Sequence, residues 1–291
     1  MDFYLTALLQ AFCFSALALG IYISMKIFNI PDITTDGSFT LGGVITAVLL
    51  VREVPAVFAL PVVMAAGGFA GALTGLIHTK LKINPLLAGI LVMTALYSVN
   101  LSVMGRSNIP LLNFSTIFSS WMLVDDLNQN TFIILLTVVT ILTLLIGYIL
   151  KTDFGIAMRA TGNSETMIRA LGVNTDRMKI IGLAIANCLT ATSGYLITQF
   201  QGFADINMGI GIVIVGLGSV IIGETLILWL KVKSVWANLV LVIAGVVIFQ
   251  LVLAFTLSIG IDANLLKLVT ASFVLLIVSL PRILSFNLLR F

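Results

Sequence analysis

The chain has 291 residues, of which 60% are hydrophobic and only 9% are charged, and its formal net charge is +3. Soluble domains carry roughly a quarter charged residues, and a soluble protein of this length has too little interior to bury so much apolar surface. This excludes a soluble globular protein and indicates an integral membrane protein. Uninterrupted apolar runs such as 131–150 are not the alternating strands of a membrane β-barrel, so the predicted fold is an all-α bundle of transmembrane helices.

A helix needs about 20 apolar residues to cross the hydrocarbon core of a bilayer. Runs of this kind predict about nine crossings in a single transmembrane domain, residues 1–291, placed near 4–26, 38–51, 56–77, 86–104, 132–150, 180–200, 210–230, 235–257 and 265–280. The second run is too short to cross comfortably alone. The residues before it, 28–38, include Pro31, Gly37 and two aspartates, which predicts a helix broken near its start.

The loops between the crossings differ in their content of Lys and Arg, which are enriched on the cytoplasmic side of membrane proteins. If the N-terminus is outside, 12 of the 15 basic residues lie on the cytoplasmic side, and only Arg52, Arg106 and Lys267 lie outside. This predicts an N-terminus outside and a C-terminus in the cytoplasm. Because the basic residues lie between apolar runs and form no polar face, nucleic acid is not an expected partner.

The segment 151–179 is the long predicted cytoplasmic loop, and its sequence indicates ordered structure. Asn163 or Ser164 can cap the start of a short helix by accepting a hydrogen bond from a free backbone N–H. Glu165 then lies in the first turn, where the helix dipole favours an anion. Gly172 is the residue type that ends a helix in the left-handed conformation. A helix of about two turns is therefore expected before Gly172.

Met167, Ile168 and Leu171 fall on one face of this short helix by their i, i+1, i+4 spacing. An exposed apolar stripe on a cytoplasmic helix needs a partner, either the groove of another protein or the lipid headgroups. Packing against the protein's own helix ends is the alternative. Asn174 or Thr175 can cap the helix that follows and enters the membrane.

Three stretches carry a family resemblance when taken in their order along the chain. They are IPDITTDGSFTLGG with NPLLAGILVMTALYSVNLSVMGR (30–43 and 84–106), the loop with Arg159-Ala160, Gly172-Val173-Asn174 and Arg177, and GLGSVIIGETL (216–226). Together they resemble the ABC importer permeases of the branched-chain amino acid and ribose type, and most nearly the tryptophan/tyrosine permease subgroup. The resemblance covers nearly the whole chain.

The resemblance implies a permease subunit in a bacterial plasma membrane, with a second permease copy or a paralogue beside it. It also implies two ATP-binding subunits that hold ATP and Mg, and an extracytoplasmic solute-binding protein, so that this chain binds no cofactor. In that family the 151–179 loop docks on the ATP-binding subunit. The residues expected at this interface are Arg159, Asn163, Glu165, Met167, Ile168, Leu171 and Gly172.

Polar residues at membrane depth are costly and are therefore functional candidates. Asp32, Thr34, Thr35 and Asp36 lie at the predicted break, where free backbone groups can bind a polar solute and a carboxylate can attract the ammonium group of an amino acid. The alternative is that Asp36 caps the following helix while Asp32 lies among headgroups.

Four further residues complete the predicted solute path, and each also has a structural interpretation. Glu224 lies near a predicted cytoplasmic helix end, where it can reach water. Asn84, Asn100 and Gln199 can instead form hydrogen bonds between helices. Gly67, Gly71 and Gly75 have the spacing that lets helix backbones approach each other.

The expected cargo is an amino acid, aromatic or branched-chain, and a sugar or another small solute stays open. No P-loop, HExxH or GxSxG motif is present in the sequence, so no enzyme activity is expected and a membrane-embedded enzyme is disfavoured. An ion-coupled secondary carrier is a further alternative. It requires a charged relay at mid-membrane, for which Glu224 is the candidate.

Overall fold

The computed structural model describes residues 2–122, 124–232, 234–260, 265, 268–277 and 279. Within them, eight helices are long and apolar enough to cross a membrane, which confirms the all-α multi-pass fold. The predicted ninth crossing, 265–280, is described only as a short apolar helix, Leu268–Ile277. Most of the predicted cytoplasmic C-terminus lies outside the described residues, as do the basic residues Lys233, Lys267, Arg282 and Arg290 used for the orientation.

Long helices alternate with short helices and two short strands along the chain. In chain order the elements are α1 (Asp2–Ile21, continued by a π-helical turn, Tyr22–Ile27), α2 (Thr34–Val51), α3 (Ala56–Lys80), α4 (Pro85–Met104), β1 (Asn108–Pro110), α5 (Ile117–Ser120), α6 (Leu127–Lys151), α7 (Asp153–Asn163), α8 (Glu165–Ala170), α9 (Thr175–Gln201), β2 (Phe203–Asp205), α10 (Ile212–Leu230) and α11 (Val235–Ser258). The strands pair antiparallel, with Ile109 opposite Ala204. This two-stranded ribbon is the one departure from all-α structure among the described residues.

The predicted break is real but shorter than 28–38, because it covers only residues 28–33 between the π-helical turn and α2. Pro31 explains why no helix continues through it, since proline has no N–H and disfavours helix at the preceding residue. Asn29 has a positive φ of 54°, which redirects the chain at the start of the break. Thr34 and Asp36, expected in the break, instead belong to the first turn of α2.

Helix α9 is the centre of the bundle, and α1, α2 and α3 pack around it. The contact with α3 is close because of the glycines with the predicted spacing. A Cβ on Gly71 would overlap the carbonyl of Leu183, and one on Gly75 would lie 2.7 Å from the Cα of Ile180. The prediction that these glycines allow two helix backbones to touch is confirmed. This close approach of the helices places the polar side chains of α9 directly beside α2 and α3.

Candidate functional site

Five buried polar side chains meet where α9 passes the break, on α2, α3, α9 and the break itself. These residues, called the break cluster below, are Asp32, Thr34, Ser38, Thr74 and Asn187. The Asn187 amide donates to Asp32 Oδ2 at 2.7 Å, and the Ser38 hydroxyl donates to Asn187 Oδ1 at 2.7 Å. The hydroxyls of Thr34 and Thr74 lie 2.7 Å apart. One amide on α9 therefore holds both the break and the first turns of α2.

Asp32 is fully buried, so the alternative that it lies among lipid headgroups is wrong. Its second oxygen accepts from the backbone N–H of Thr34 at 2.9 Å, and Thr35 donates to its carbonyl at 3.2 Å. Local hydrogen bonds thus join Asp32 in the break to Thr34 and Thr35 in α2, and their part in a solute path stays a prediction. Among the described residues no Lys or Arg forms an ion pair with this carboxylate. Its partners are uncharged donors.

Asp36 lies one turn further along α2 and caps a helix, but not its own. Its two carboxylate oxygens accept from the backbone N–H groups of Gly211 and Val213, both at 2.9 Å. These groups lie at the start of α10, where free N–H groups and the helix dipole favour an anion. The expectation that Asp36 caps the following helix is therefore corrected to a cap on a remote helix. Its part in a solute path stays a prediction.

The other path candidates are spread over the molecule. Asn84 caps α4 by accepting from Leu86 N at 2.9 Å and is exposed. Asn100 donates to Gly37 O at 3.3 Å while its buried Oδ1 has no partner. Gln199 accepts from the N–H of Ile117 at 2.8 Å, which fixes the short helix α5. Asn100 and Gln199 thus form the bonds between helices that the structural alternative expects, whereas Asn84 caps its own helix.

Glu224 forms an ion pair with Lys26 at 3.1 Å. Lys26 lies in the π-helical turn at the end of the first span, so this pair marks the loop end of α10. Its position agrees with the structural interpretation of Glu224. An ion-coupled carrier needs a charged relay inside the membrane, and a pair at a helix end does not supply one.

The 151–179 loop contains two helices, α7 and α8, and α8 is joined to the start of α9 by charged and polar groups. These residues, called the loop network below, are Glu165, Arg169, Thr175, Asp176 and Lys179. Arg169 donates to Glu165 at 2.9 Å and to Asp176 at 2.9 Å. Lys179 donates to the other oxygen of Glu165 at 2.5 Å. The hydrogen bond and charge of Lys179 lower the pKa of the Glu165 carboxyl below its usual range, and Thr175 and Arg169 add to this.

The helix ends in this loop agree with the sequence at Gly172 and Asn174 but not at the start of α8. Gly172 has a positive φ of 86° after α8, and Asn174 caps α9 by accepting from Arg177 N at 3.0 Å, so both are confirmed. Ser164 occupies the N-cap position of α8, but its side chain forms no capping bond. Asn163 is the last residue of α7, so the predicted side-chain cap from either residue is wrong.

The three residues of the predicted apolar face of α8 differ in their exposure. Met167 and Leu171 are 62% and 69% exposed, whereas Ile168 is only 8% exposed. The inward direction of Ile168 agrees with packing against the protein's own helix ends, and Ile168 is therefore not presented to a partner. Arg159 on α7 is half-buried, and its Nε has no partner. The exposed apolar part of the predicted interface is thus Met167 and Leu171.

The loop also contacts the break directly. The Asn29 amide donates to Gly162 O at 3.1 Å, and a Cβ on Gly162 would overlap the carbonyl of Ile27. On α9, a Cβ on Gly182 would overlap the ring of Phe28. The sequence carried no signal for these contacts, because a glycine that permits close approach does not reveal its partner.

Comparison with known proteins gives one family and several relatives. The family model for the permease component of branched-chain amino acid transport systems matches residues 3–280. The chain is 38% identical to a tyrosine transport system permease protein of Clostridioides difficile, over 92% of this chain and 87% of the relative. It is 34% identical to an uncharacterized protein of Rickettsia prowazekii, over 92% of this chain and 94% of the relative.

A ribose import permease protein of Haemophilus influenzae is 24% identical, over 72% of this chain and 65% of the relative. No solved structure gives a significant match. The relatives whose names state a function are thus permease proteins of transport systems, and they differ in the solute that their names give.

Proposed function

We propose that this chain, which belongs to the permease component family of branched-chain amino acid transport systems, imports an aromatic amino acid into the cytoplasm as part of an ABC transporter. Membership of the family makes the chain a multi-pass permease of a bacterial inner membrane. The observation that carries the proposed cargo is the 38% identity to a tyrosine transport system permease protein.

The family implies ATP-binding and solute-binding partners, and we propose that two ATP-binding subunits hold ATP and Mg and dock on the 151–179 loop. Support comes from Met167 on α8 and Leu171 at its C-cap, which are large exposed apolar side chains on a segment that the loop network holds in place. An exposed apolar pair on an ordered helix is the kind of surface that fits a groove of another protein. The N-outside orientation, predicted from the basic residues, places this loop in the cytoplasm.

The proposed transporter contains a second permease copy, and the solute crosses between the two. The burial of the break cluster supports this arrangement, because Asp32 and Asn187 are fully enclosed within one chain. The outward faces of α3 and α4 carry large exposed apolar side chains such as Phe69 and Tyr97, which are available to lipid or to another copy.

The cargo is tested by uptake of radiolabelled tyrosine into proteoliposomes that contain this chain with its ATP-binding and solute-binding partners. We expect ATP-dependent uptake that unlabelled phenylalanine or tryptophan inhibits and ribose does not. Inhibition by ribose alone contradicts the cargo and favours the sugar that the Haemophilus influenzae relative's name gives. Uptake that an ionophore abolishes in the presence of ATP contradicts the ABC mechanism and favours an ion-coupled carrier.

The docking surface is tested by Leu171→Asp, with Leu81→Asp as the matched control. The two leucines are 69% and 66% exposed, and both lie at predicted cytoplasmic loop ends. An aspartate at an apolar contact is buried without a partner on docking, so Leu171→Asp should lose the ATP-binding subunit on co-purification, and Leu81→Asp should retain it. Retention by both variants contradicts the assignment of this surface.

A further inference from the structure

We infer that Asn187 is a positioning residue that transmits movement of α8 to the start of α10 through the break cluster and Asp36. The inference rests on the proposed function, because the movement originates in an ATP-binding subunit docked on α8. Transmission of this kind requires a continuous set of contacts between elements that can change position. The contacts are present at three places in succession from α8 to α10.

The first place is the junction of α8 and α9. Arg169 on α8 donates to the Thr175 hydroxyl at 2.8 Å and to Asp176 at 2.9 Å. Lys179, one turn into α9, donates to Glu165 on α8. Because both ends of α8 are bonded to the first turns of α9, a displacement of α8 moves the start of α9 with it.

The second place is Asn187, which lies further along the same helix and is fully buried. Its amide group donates to Leu183 O at 3.0 Å within α9 and to Asp32 at 2.7 Å across to the break. Its oxygen accepts from Ser38 on α2 at 2.7 Å. One side chain therefore fixes both the break and the start of α2 to α9, and burial strengthens these bonds.

The third place is the first turn of α2, where Asp32 and Asp36 are joined by local bonds. Thr35 donates to the Asp32 carbonyl, and the Asp36 N–H donates to Ile33 O at 3.2 Å. Asp36 then holds Gly211 and Val213 at the start of α10. The residues leading into α10, 206–211, are called the return turn below. They pack so closely on α2 that a Cβ on Gly209 would overlap the Asp36 carbonyl.

The break is the part of this path that can change shape. Residues 28–33 form no helix, and segments with few backbone hydrogen bonds deform more readily than helices. Ile30 in the break donates to Ser24 O of the preceding π-helical turn at 2.9 Å. Asn29 also joins the break to Gly162 of α7 at 3.1 Å, so both the loop and α9 act on the same six residues.

The test is hydrogen–deuterium exchange of the intact complex of this chain with its ATP-binding subunit, without nucleotide and with ATP plus vanadate. In the wild type we expect nucleotide to change exchange both at 165–170 and in the return turn with the first residues of α10, 206–213. In Asn187→Leu the change at 165–170 should persist while the change at 206–213 is lost. The control Thr192→Val removes a buried hydroxyl of α9 that donates only to Cys188 O within the helix, and it should keep both changes.

The outcomes separate this inference from the proposed function. No nucleotide-dependent change at 165–170 in the wild type contradicts docking on α8, and the inference is overturned with it. A change at 165–170 without one at 206–213 in the wild type, or equal changes at 206–213 in the wild type and Asn187→Leu, overturns the inference alone.

A reciprocal exchange keeps the test valid if Asn187→Leu does not assemble. The double variant Asp32→Asn/Asn187→Asp moves the amide to the break and the carboxylate to α9. It retains the bonds to Ser38 and to Thr34 N as well as the bond between the two side chains, and it loses only the bond from position 187 to Leu183 O within α9. It should keep the response at 206–213, whereas the single variant Asn187→Asp places two carboxylates together and should lose it. Loss of the response or of assembly in the double variant overturns the inference.

Discussion

Helix α9 carries a polar network at each of two depths, and the networks differ in burial. The loop network at its start contains two acidic and two basic residues, and the side chains of Arg169 and Glu165 are substantially exposed. The break cluster contains one carboxylate with uncharged partners, and Asp32, Ser38 and Asn187 are fully buried. The region with more charges is therefore the more exposed of the two.

The difference teaches that burial, more than formal charge, decides what a polar contact contributes. Exposed ion pairs contribute about 0–1 kcal/mol because water and salt screen them. A buried polar group that loses its hydrogen-bond partner costs about 1–3 kcal/mol, and more if it is charged, because nothing replaces the lost bond. We therefore expect removal of one partner to cost more stability in the break cluster than in the loop network.

Removal of the Asn187 amide should have the largest effect on stability. Asn187→Leu leaves Asp32 and Ser38 without their cross-helix partner, so the free energy of unfolding should fall by about 3 kcal/mol. The measurement is reversible unfolding of the purified chain by denaturant in mixed micelles. Thr192→Val is the control, with an expected loss of about 1 kcal/mol. Equal losses in the two variants would remove the special role of this cluster.

The hydroxyl pair between α2 and α3 should have a moderate effect. Thr74→Val removes a neutral hydrogen bond to Thr34, which is worth about 1 kcal/mol in a buried position. A double-mutant cycle with Thr34→Val isolates the interaction between the two hydroxyls. Thr143→Val, which loses only a bond to Val139 O in its own helix, is the control. A coupling energy near zero would show that the two hydroxyls act independently.

The loop network should have a smaller effect that depends on salt. Glu165→Gln removes the charge that Arg169 and Lys179 share, and because these side chains are partly exposed, the loss should stay below about 1 kcal/mol. Salt at about 1 M shortens the screening length to roughly 3 Å, so wild type and variant should then be nearly equal in stability. A difference that salt leaves unchanged contradicts the description of this network as solvent-screened.

The smallest effect expected is the pH dependence of the stability that Glu165 contributes. Lys179 lowers the pKa of Glu165 in the folded chain, so the folded state favours the carboxylate relative to the unfolded state. The stabilisation is therefore complete above the ordinary glutamate pKa of about 4.3 and is lost as pH falls through the lowered folded pKa. The stability difference between wild type and Glu165→Gln, measured from pH 7 downward, should shrink. Growth of the difference on acidification has the wrong sign.

The sequence predicts the crossings well because each one is a local property of an apolar run. It also predicts the break, since Pro31 and the flanking polar residues act locally. Helix periodicity shows that Ile168 shares a face with Met167 and Leu171, but not which side of that face turns inward. The inward position of Ile168 depends on how α8 is bonded to α9, through Arg169 and Lys179.

The remote partners of the polar residues could not be predicted. Asp36 is separated from Gly211 by 175 positions, and Asn187 from Asp32 by 155. A polar residue in an apolar run indicates that a partner exists, which identifies Asn187 as a candidate for an inter-helical bond without naming Asp32. Helix packing, set by glycines such as Gly71 on α3, determines which of the polar groups meet.

The central claim is that α8 presents an ordered apolar surface to a separate ATP-binding subunit. The most direct measurement places a photo-cross-linking amino acid at Met167 in the full chain, expressed in cells with its transport partners. Phe58, which is 68% exposed at the opposite end of the bundle, is the control position. We predict a cross-link from position 167 to the ATP-binding subunit and none from position 58. A cross-link to that subunit from position 58 and not from position 167 would contradict the account.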